Sequence, residues 1–230
     1  MNFRGCSLIC VSVAEPTVER CLEALQGLDF AEVRIDGMDV TVDDVKRIFS
    51  KPSKLVATFM PLGSGAKTDK TVDDDTRKGL LIAAIEAGAR YVDVEVQADE
   101  AYKRDIIQKA RMHGCKVIIS FHDFQATPEK GKLDEITALC FKEGADIAKI
   151  ACKVSTVKDN IRLLGLLDKD EYHGRTVVIG MGKKGRITRI TAPLLGSPFT
   201  FASHSKGKET AAGQIEKNIL REMVGLLRDE

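Results

Sequence analysis

The stretch Lys116–Val154, KVIISFHDFQATPEKGKLDEITALCFKEGADIAKIACKV, holds the unit from which the fold is read. It begins and ends on short apolar runs rich in β-branched residues, Lys116–Asp123 and Ile147–Val154, of the length and composition of buried strands. The longer segment between them is helical in pattern and ends at Gly144, where a left-handed residue closes a helix. Strand, helix and strand in a span of this size make the crossover unit of a parallel sheet.

The same alternation runs along the whole chain. Further candidate strands are Ser7–Val13, Ala31–Asp36, Lys54–Met60, Tyr91–Val96, Thr176–Met181 and Phe199–Ser203, and strand starts recur every 23 to 37 residues. Val18, Cys21, Leu22 and Leu25 follow helical spacing, as do Ile215, Ile219 and Met223 at four-residue steps. Thr17, Thr41 (with Asp43 and Asp44 behind it) and Ser155 are placed as helix caps, while Gly88 and Gly114 close helices as Gly144 does. Eight strands, each followed by a helix, is the count for a (β/α)8 barrel occupying residues 1–230 as one α/β domain. An open doubly wound sheet is the competitor, but it usually uses fewer strands.

Composition narrows the function classes. The chain has 230 residues, with 35 Lys and Arg against 34 Asp and Glu, a net charge of +1. No basic stripe or aromatic-interleaved patch suggests nucleic acid. Gly182-Lys183-Lys184-Gly185-Arg186 is the densest basic cluster, read as a solvated loop or an anion contact. Cys6, Cys10, Cys21, Cys115, Cys140 and Cys152 are scattered and read as reduced, mostly buried residues. The apolar stretch Cys6–Ala14 stops at Glu15-Pro16 and reads as a first strand rather than a secretion signal. No run approaches the roughly 20 apolar residues of a membrane span. A cytoplasmic protein is expected.

In a barrel, reactive groups lie where strands end at the carboxyl face. The candidate strands place Ser12, Glu32, Arg34, Met60, Glu95, His122, Asp123, Lys149 and Ser203 there. Lys149 falls mid-strand between apolar neighbours, and two readings stand beside each other. It is either a buried lysine paired with a carboxylate, or an amine whose pKa burial lowers until it attacks a ketone. Lys153 is nearer the strand end and expected in solvent. His122 comes one strand before Lys149 and Glu95 one strand earlier, so Glu95 can accept from the imidazole and fix its tautomer. One histidine, no His-x-His and a cation-repelling lysine argue against a metal. Gly180-Met-Gly-Lys-Lys-Gly185 imitates a dinucleotide fingerprint, but no βαβ unit follows it and no acidic residue stands at the right distance, so a flexible loop of backbone donors is expected.

Glu32-Val-Arg34-Ile-Asp36, Ser120-Phe-His122-Asp123-Phe, Lys149-Ile-Ala and Gly213-Gln214-Ile occur in this order, and with them the chain resembles the type I 3-dehydroquinate dehydratases over essentially its whole length. The resemblance implies a shikimate-pathway hydro-lyase, a homodimer with no metal or organic cofactor, whose substrate is 3-dehydroquinate. It implies an imine on Lys149, with His122 moving the C2 proton and Glu95 orienting His122. It further implies Glu32 and Arg34 on ring hydroxyls, and Arg189 on the substrate carboxylate, helped by Gln214 and Thr210. Ser12 would stand at the mouth of the site. Met60 occupies a position where the family carries a substrate-binding Arg, and Thr210-Ala-Ala-Gly-Gln214 replaces Ser-x-Pro-Gly-Gln.

Two other functions fit parts of the pattern. A Schiff-base aldolase or transaldolase would hold a sugar phosphate near residues 182–185, and a non-catalytic barrel would account for Met60. The Gly, Ser and Lys content of Leu62–Thr71 suggests a mobile loop open to proteolysis.

Overall fold

Eight apolar runs become eight strands: β1 Ile9–Val13, β2 Phe30–Arg34, β3 Lys54–Thr58, β4 Tyr91–Glu95, β5 Lys116–Asp123, β6 Ile147–Lys153, β7 Thr176–Met181 and β8 Thr200–Ser203. This computed structural model describes residues 8–63, 65–67 and 71–228. The expected Ser7 strand start and Cys6 lie outside the described residues, as do parts of the Leu62–Thr71 loop.

The helices are α1 Val18–Ala24, α2 Val42–Phe49, α3 Asp74–Glu86, α4 Glu100–Met112, α5 Lys130–Lys142, α6 Val157–Leu164, α7 Arg186–Thr191 and α8 Lys217–Leu226. Thr17 and Thr41 cap α1 and α2 through their hydroxyls, the latter in a reciprocal capping box with Asp44. The cap of α6 is Thr156 rather than Ser155, because Asp159 reaches back to its backbone and closes the box there. Gly88, Gly114 and Gly144 all take positive φ after their helices.

The strands run in the order β7-β6-β5-β4-β3-β2-β1-β8, and every ladder is parallel. This is a (β/α)8 barrel with one open seam, since no ladder among the described residues joins β7 to β8. Side chains of α7 bridge it instead. The Gly180 N–H of β7 donates to Thr188 Oγ1 at 2.7 Å, and Arg189 Nη1 donates to the Phe201 carbonyl of β8 at 3.2 Å.

Strand alternation divides the apolar side chains into two cores. The larger lies between strands and helices. The smaller fills the barrel floor, where Phe199 packs edge-on to Phe30 at 5.0 Å and contacts Tyr91 and Phe201 at 5.8 and 5.5 Å. Such ring pairs add about 0.5–1.5 kcal/mol each beyond burial, and here they seal the amino-terminal end of the lumen beneath the polar layer.

One helical stripe differs from expectation. In α8 the buried residues are Leu220 and Val224, whereas Ile219 and Met223 are 49% and 40% exposed. Both pairs have i, i+4 spacing and lie about 100° apart, so tertiary packing selects between them. Among the described residues, no helix is long and apolar enough to cross a membrane.

Candidate active site

The carboxyl ends of the strands surround a cavity of about 70 Å³. Ser12, Glu32, Arg34, His122, Lys149, Arg189, Thr210 and Gln214 line it, together with Met60. Glu95 reaches the site through His122: its Oε1 lies 2.5 Å from the imidazole Nδ1. The structure therefore brings together Ser12, Glu32, Arg34, Glu95, His122, Lys149, Arg189, Thr210 and Gln214, whereas Asp123 and Ser203, also at strand ends, do not line the cavity. Lys153 is exposed, as expected.

Lys149 is buried and its Nζ donates to Asp93 Oδ2 at 2.7 Å, with Glu32 Oε1 at 3.8 Å and the Phe201 ring centroid at 4.8 Å. Burial alone depresses the ammonium. The Asp93 and Glu32 charges, the Asp93 hydrogen bond and Glu95 more than reverse that, so the pKa lies above the ordinary lysine value. The expected lowered pKa is thus corrected: without substrate, Lys149 is a paired cation. Burial likewise raises the Asp93 carboxyl, but the Lys149 and His122 charges and hydrogen bonds from Lys149 and Ser120 carry it below the usual range.

Asp93 was absent from the candidate set, although the signal was present. Tyr91, Asp93 and Glu95 alternate along β4, so Asp93 shares the lumen face with Glu95. The register pairs Glu95 with Ser120 and Ser120 with Lys149 across β5 and β6. Ser120 Oγ donates to Asp93 Oδ1 at 2.6 Å and fixes the carboxylate. Thr58 was also missed; its hydroxyl and that of Ser12 donate to the two oxygens of Glu32 at 3.1 and 2.7 Å.

Arg34 is held rather than free. Its Nε and Nη2 bond bidentately to Asp36 at 2.9 and 2.7 Å, and Nη2 also donates to the Gly65 carbonyl at 2.7 Å. Asp36 accepts from the Met60 and Lys67 backbones as well, at 3.2 and 2.7 Å. This ties down the described part of the 62–71 loop. Met60 lines the cavity as an apolar residue, as do Ala151, Ile179 and Met181 from β6 and β7.

Arg189 is fully buried, yet among the described residues no carboxylate forms an ion pair with it. It donates to the carbonyls of Phe201 and Ala212 at 3.2 and 3.5 Å, and its Nε has no partner. Burial and the Arg186 charge pull its pKa down to about 10, against a smaller opposing pull from Glu32. A buried cation without a paired carboxylate is costly unless an anion completes it. Beside it, Gln214 Oε1 accepts from the Thr210 N–H at 2.6 Å, while Nε2 donates to Ser12 Oγ at 3.2 Å.

Gly180 and Gly185 allow close backbone packing in this segment, and Lys183–Gly185 form a 3-10 turn. A Cβ on Gly185 would come within 2.3 Å of the Gly180 backbone, and one on Gly213 within 2.4 Å of the Gly182 carbonyl. Gly182 itself has φ 85° and donates to the Ala212 carbonyl at 2.9 Å. These contacts press the 210–214 loop onto the seam beside Arg189.

A barrel with a His–Glu pair, a lumen lysine and a buried arginine at its carboxyl mouth has the arrangement of a barrel enzyme. The model of the type I 3-dehydroquinases matches residues 9–230. Among curated proteins, the 3-dehydroquinate dehydratase of Methanocaldococcus jannaschii is 34% identical, with 96% of this chain and 99% of that one covered. That of Methanothermobacter thermautotrophicus is also 34% identical, covering 96% and 98%. Among solved structures, the type I 3-dehydroquinate dehydratase from Clostridium difficile, with covalently modified comenic acid, is 25% identical at a TM-score of 0.84, covering 95% and 91%. The Enterococcus faecalis enzyme is 26% identical at 0.80, covering 96% and 94%. The chain belongs to the type I 3-dehydroquinase family and is a hydro-lyase. A 3-hexulose-6-phosphate synthase at 14% identity and TM-score 0.57 shares the fold alone.

Proposed function

We propose that this chain dehydrates 3-dehydroquinate to 3-dehydroshikimate through an imine on Lys149. The observation that carries the reading is a buried Lys149 held by Asp93 in one cavity with His122 and the acid-free Arg189. The covalent ligand in the Clostridium difficile relative supports a nucleophile in such a site.

The raised pKa of Lys149 fits a site built for positive charge at Nζ. Lys149 must first pass a proton to its carboxylate neighbours before the amine adds to the substrate ketone. Loss of the carbonyl oxygen as water then restores a cation at the same nitrogen, now a protonated imine. Asp93 stabilises that cation where it stabilised the ammonium, with no reorganisation needed. The imine draws off the electron pair released when His122 takes the C2 proton. His122 returns that proton to the leaving C1 hydroxyl, which departs as water, and a second water hydrolyses the imine.

Glu95 holds Nδ1–H and leaves Nε2 to act as base. Arg189 takes the substrate carboxylate, and Gln214 and Thr210 shape the loop against it. Glu32, Ser12 and the unbonded part of the Arg34 fork face the ring hydroxyls. The reading includes a homodimer, supported by the exposed apolar Val157 and Ile161 on α6, and Ile219 and Met223 on α8. Sedimentation of the purified chain tests this, and a monomer removes it.

A direct absorbance assay for the conjugated enone product tests the function. Turnover is expected; folded protein silent at millimolar substrate would overturn the reading and favour a binding role.

A further inference from the structure

Glu95 separates two cavities. His122 lines the Lys149 cavity and Glu95 does not, whereas Glu95 lines a second cavity of about 200 Å³ and His122 does not. The hydrogen bond between them is therefore a partition, with substrate on the imidazole side and a polar chamber behind the carboxylate.

That chamber contains one clamped cation. Arg77 of α3 donates through Nη1 to Asp74 at 2.5 Å, and its guanidinium lies 5.8 Å from the Phe59 ring centroid and 5.3 Å from that of Tyr102. A long side chain restrained between two rings and an acid loses little further freedom by acting there. Two buried polar atoms have no partner, Arg77 Nε and the Tyr102 hydroxyl. Buried donors without acceptors are rare in folded proteins. Asp99 is occupied in capping α4, and Asp74 already takes Arg77. Of the three carboxylates lining the chamber, Glu95 is the one that neither caps α4 nor takes Arg77, and the chamber has room for bridging water.

We propose that Arg77 is a positioning residue for the acid–base pair, holding the Glu95 carboxylate from the chamber side with Tyr102 and bridging water. This rests on the reading of Glu95 and His122 as that pair. The imidazole serves as a base at Nε2 only while Glu95 keeps the proton on Nδ1. A carboxylate free to swing into its own chamber would release the ring. Hydrogen bonds from across the chamber keep the carboxylate aimed at the ring.

The test measures kcat and KM for Arg77→Gln, Glu95→Gln and the double variant. Arg77→Gln is expected to lower kcat about two- to fivefold, the size of a screened charge contact, with KM nearly unchanged. In the Glu95→Gln background the same substitution should cost nothing further, because the group it positions is gone. Tyr102→Phe removes one unpartnered hydroxyl without disturbing packing; a smaller kcat loss, again absent in Glu95→Gln, is expected even should Arg77→Gln fold poorly. Equal losses in both backgrounds, or unchanged kcat in Arg77→Gln and Tyr102→Phe, would overturn the proposal alone. Full activity in Glu95→Gln would remove the acid–base reading and this inference together.

Discussion

Asp93→Asn removes the charge nearest Lys149 while keeping the side-chain shape. Asp93 is buried, bonded to Lys149 Nζ at 2.7 Å and to Ser120 Oγ at 2.6 Å, and the remaining acid, Glu32, stands 3.8 Å from Nζ. Breaking a buried ion pair by deleting one partner costs roughly 3–5 kcal/mol when the other charge stays in place. Lys149 has an escape, because burial already favours its neutral form. Each unit its pKa falls is about 1.4 kcal/mol of destabilisation of the ammonium, and the loss is capped once the amine deprotonates. The expected loss at neutral pH is therefore about 2–4 kcal/mol, read from urea unfolding.

Lys149→Met should cost a similar amount by stranding Asp93, but the double variant should lose much less than the sum of the two. The pH dependence follows from the two directions. The depressed Asp93 contributes stability that is present above the unfolded carboxylate pKa and is lost as pH falls through its folded value. The raised Lys149 contributes stability present below the unfolded amine pKa and lost as pH rises through its folded value. Asp93→Asn should flatten the acid side of the stability curve. Additive single losses, with an acid limb like that of the wild type, would refute the pairing argument.

Other substitutions separate binding from chemistry. Arg189→Lys should raise KM about 10- to 100-fold, the loss of a charge-assisted fork of roughly 1.5–3 kcal/mol, and simple carboxylates should compete with substrate where inorganic phosphate does not. His122→Ala should still form the imine, seen as a trapped adduct, while product absorbance stays flat. Gly213→Ala should unfold at lower urea and lose affinity, because φ 83° and the Gly182 carbonyl both oppose a Cβ; wild-type behaviour in both would show that the 210–214 loop has other packing available.

The barrel was legible because each strand is a short apolar run bounded by caps and glycines, as in Lys116–Asp123 and Thr176–Met181, whose expected and observed limits agree. Boundaries slipped where hydrogen bonding overrode pattern. Ala31–Asp36 ends early because Ile35–Gly37 turns into a 3-10 helix, which lets Asp36 face back to Arg34. Of the site, Glu95, His122 and Lys149 were legible from polarity at strand ends. The electrostatic state of Lys149 was not, since it depends on Asp93 reaching across two strands. Nor was the acid-free burial of Arg189, which follows from a seam that α7 fills in place of a ladder.

The imine on Lys149 is tested most directly by borohydride reduction of the protein with dehydroquinate or its product, followed by peptide mass mapping. The expected result is one reduced adduct on the peptide carrying Lys149, lost in Lys149→Ala. An adduct on Lys153, or none in protein that turns substrate over, would contradict it.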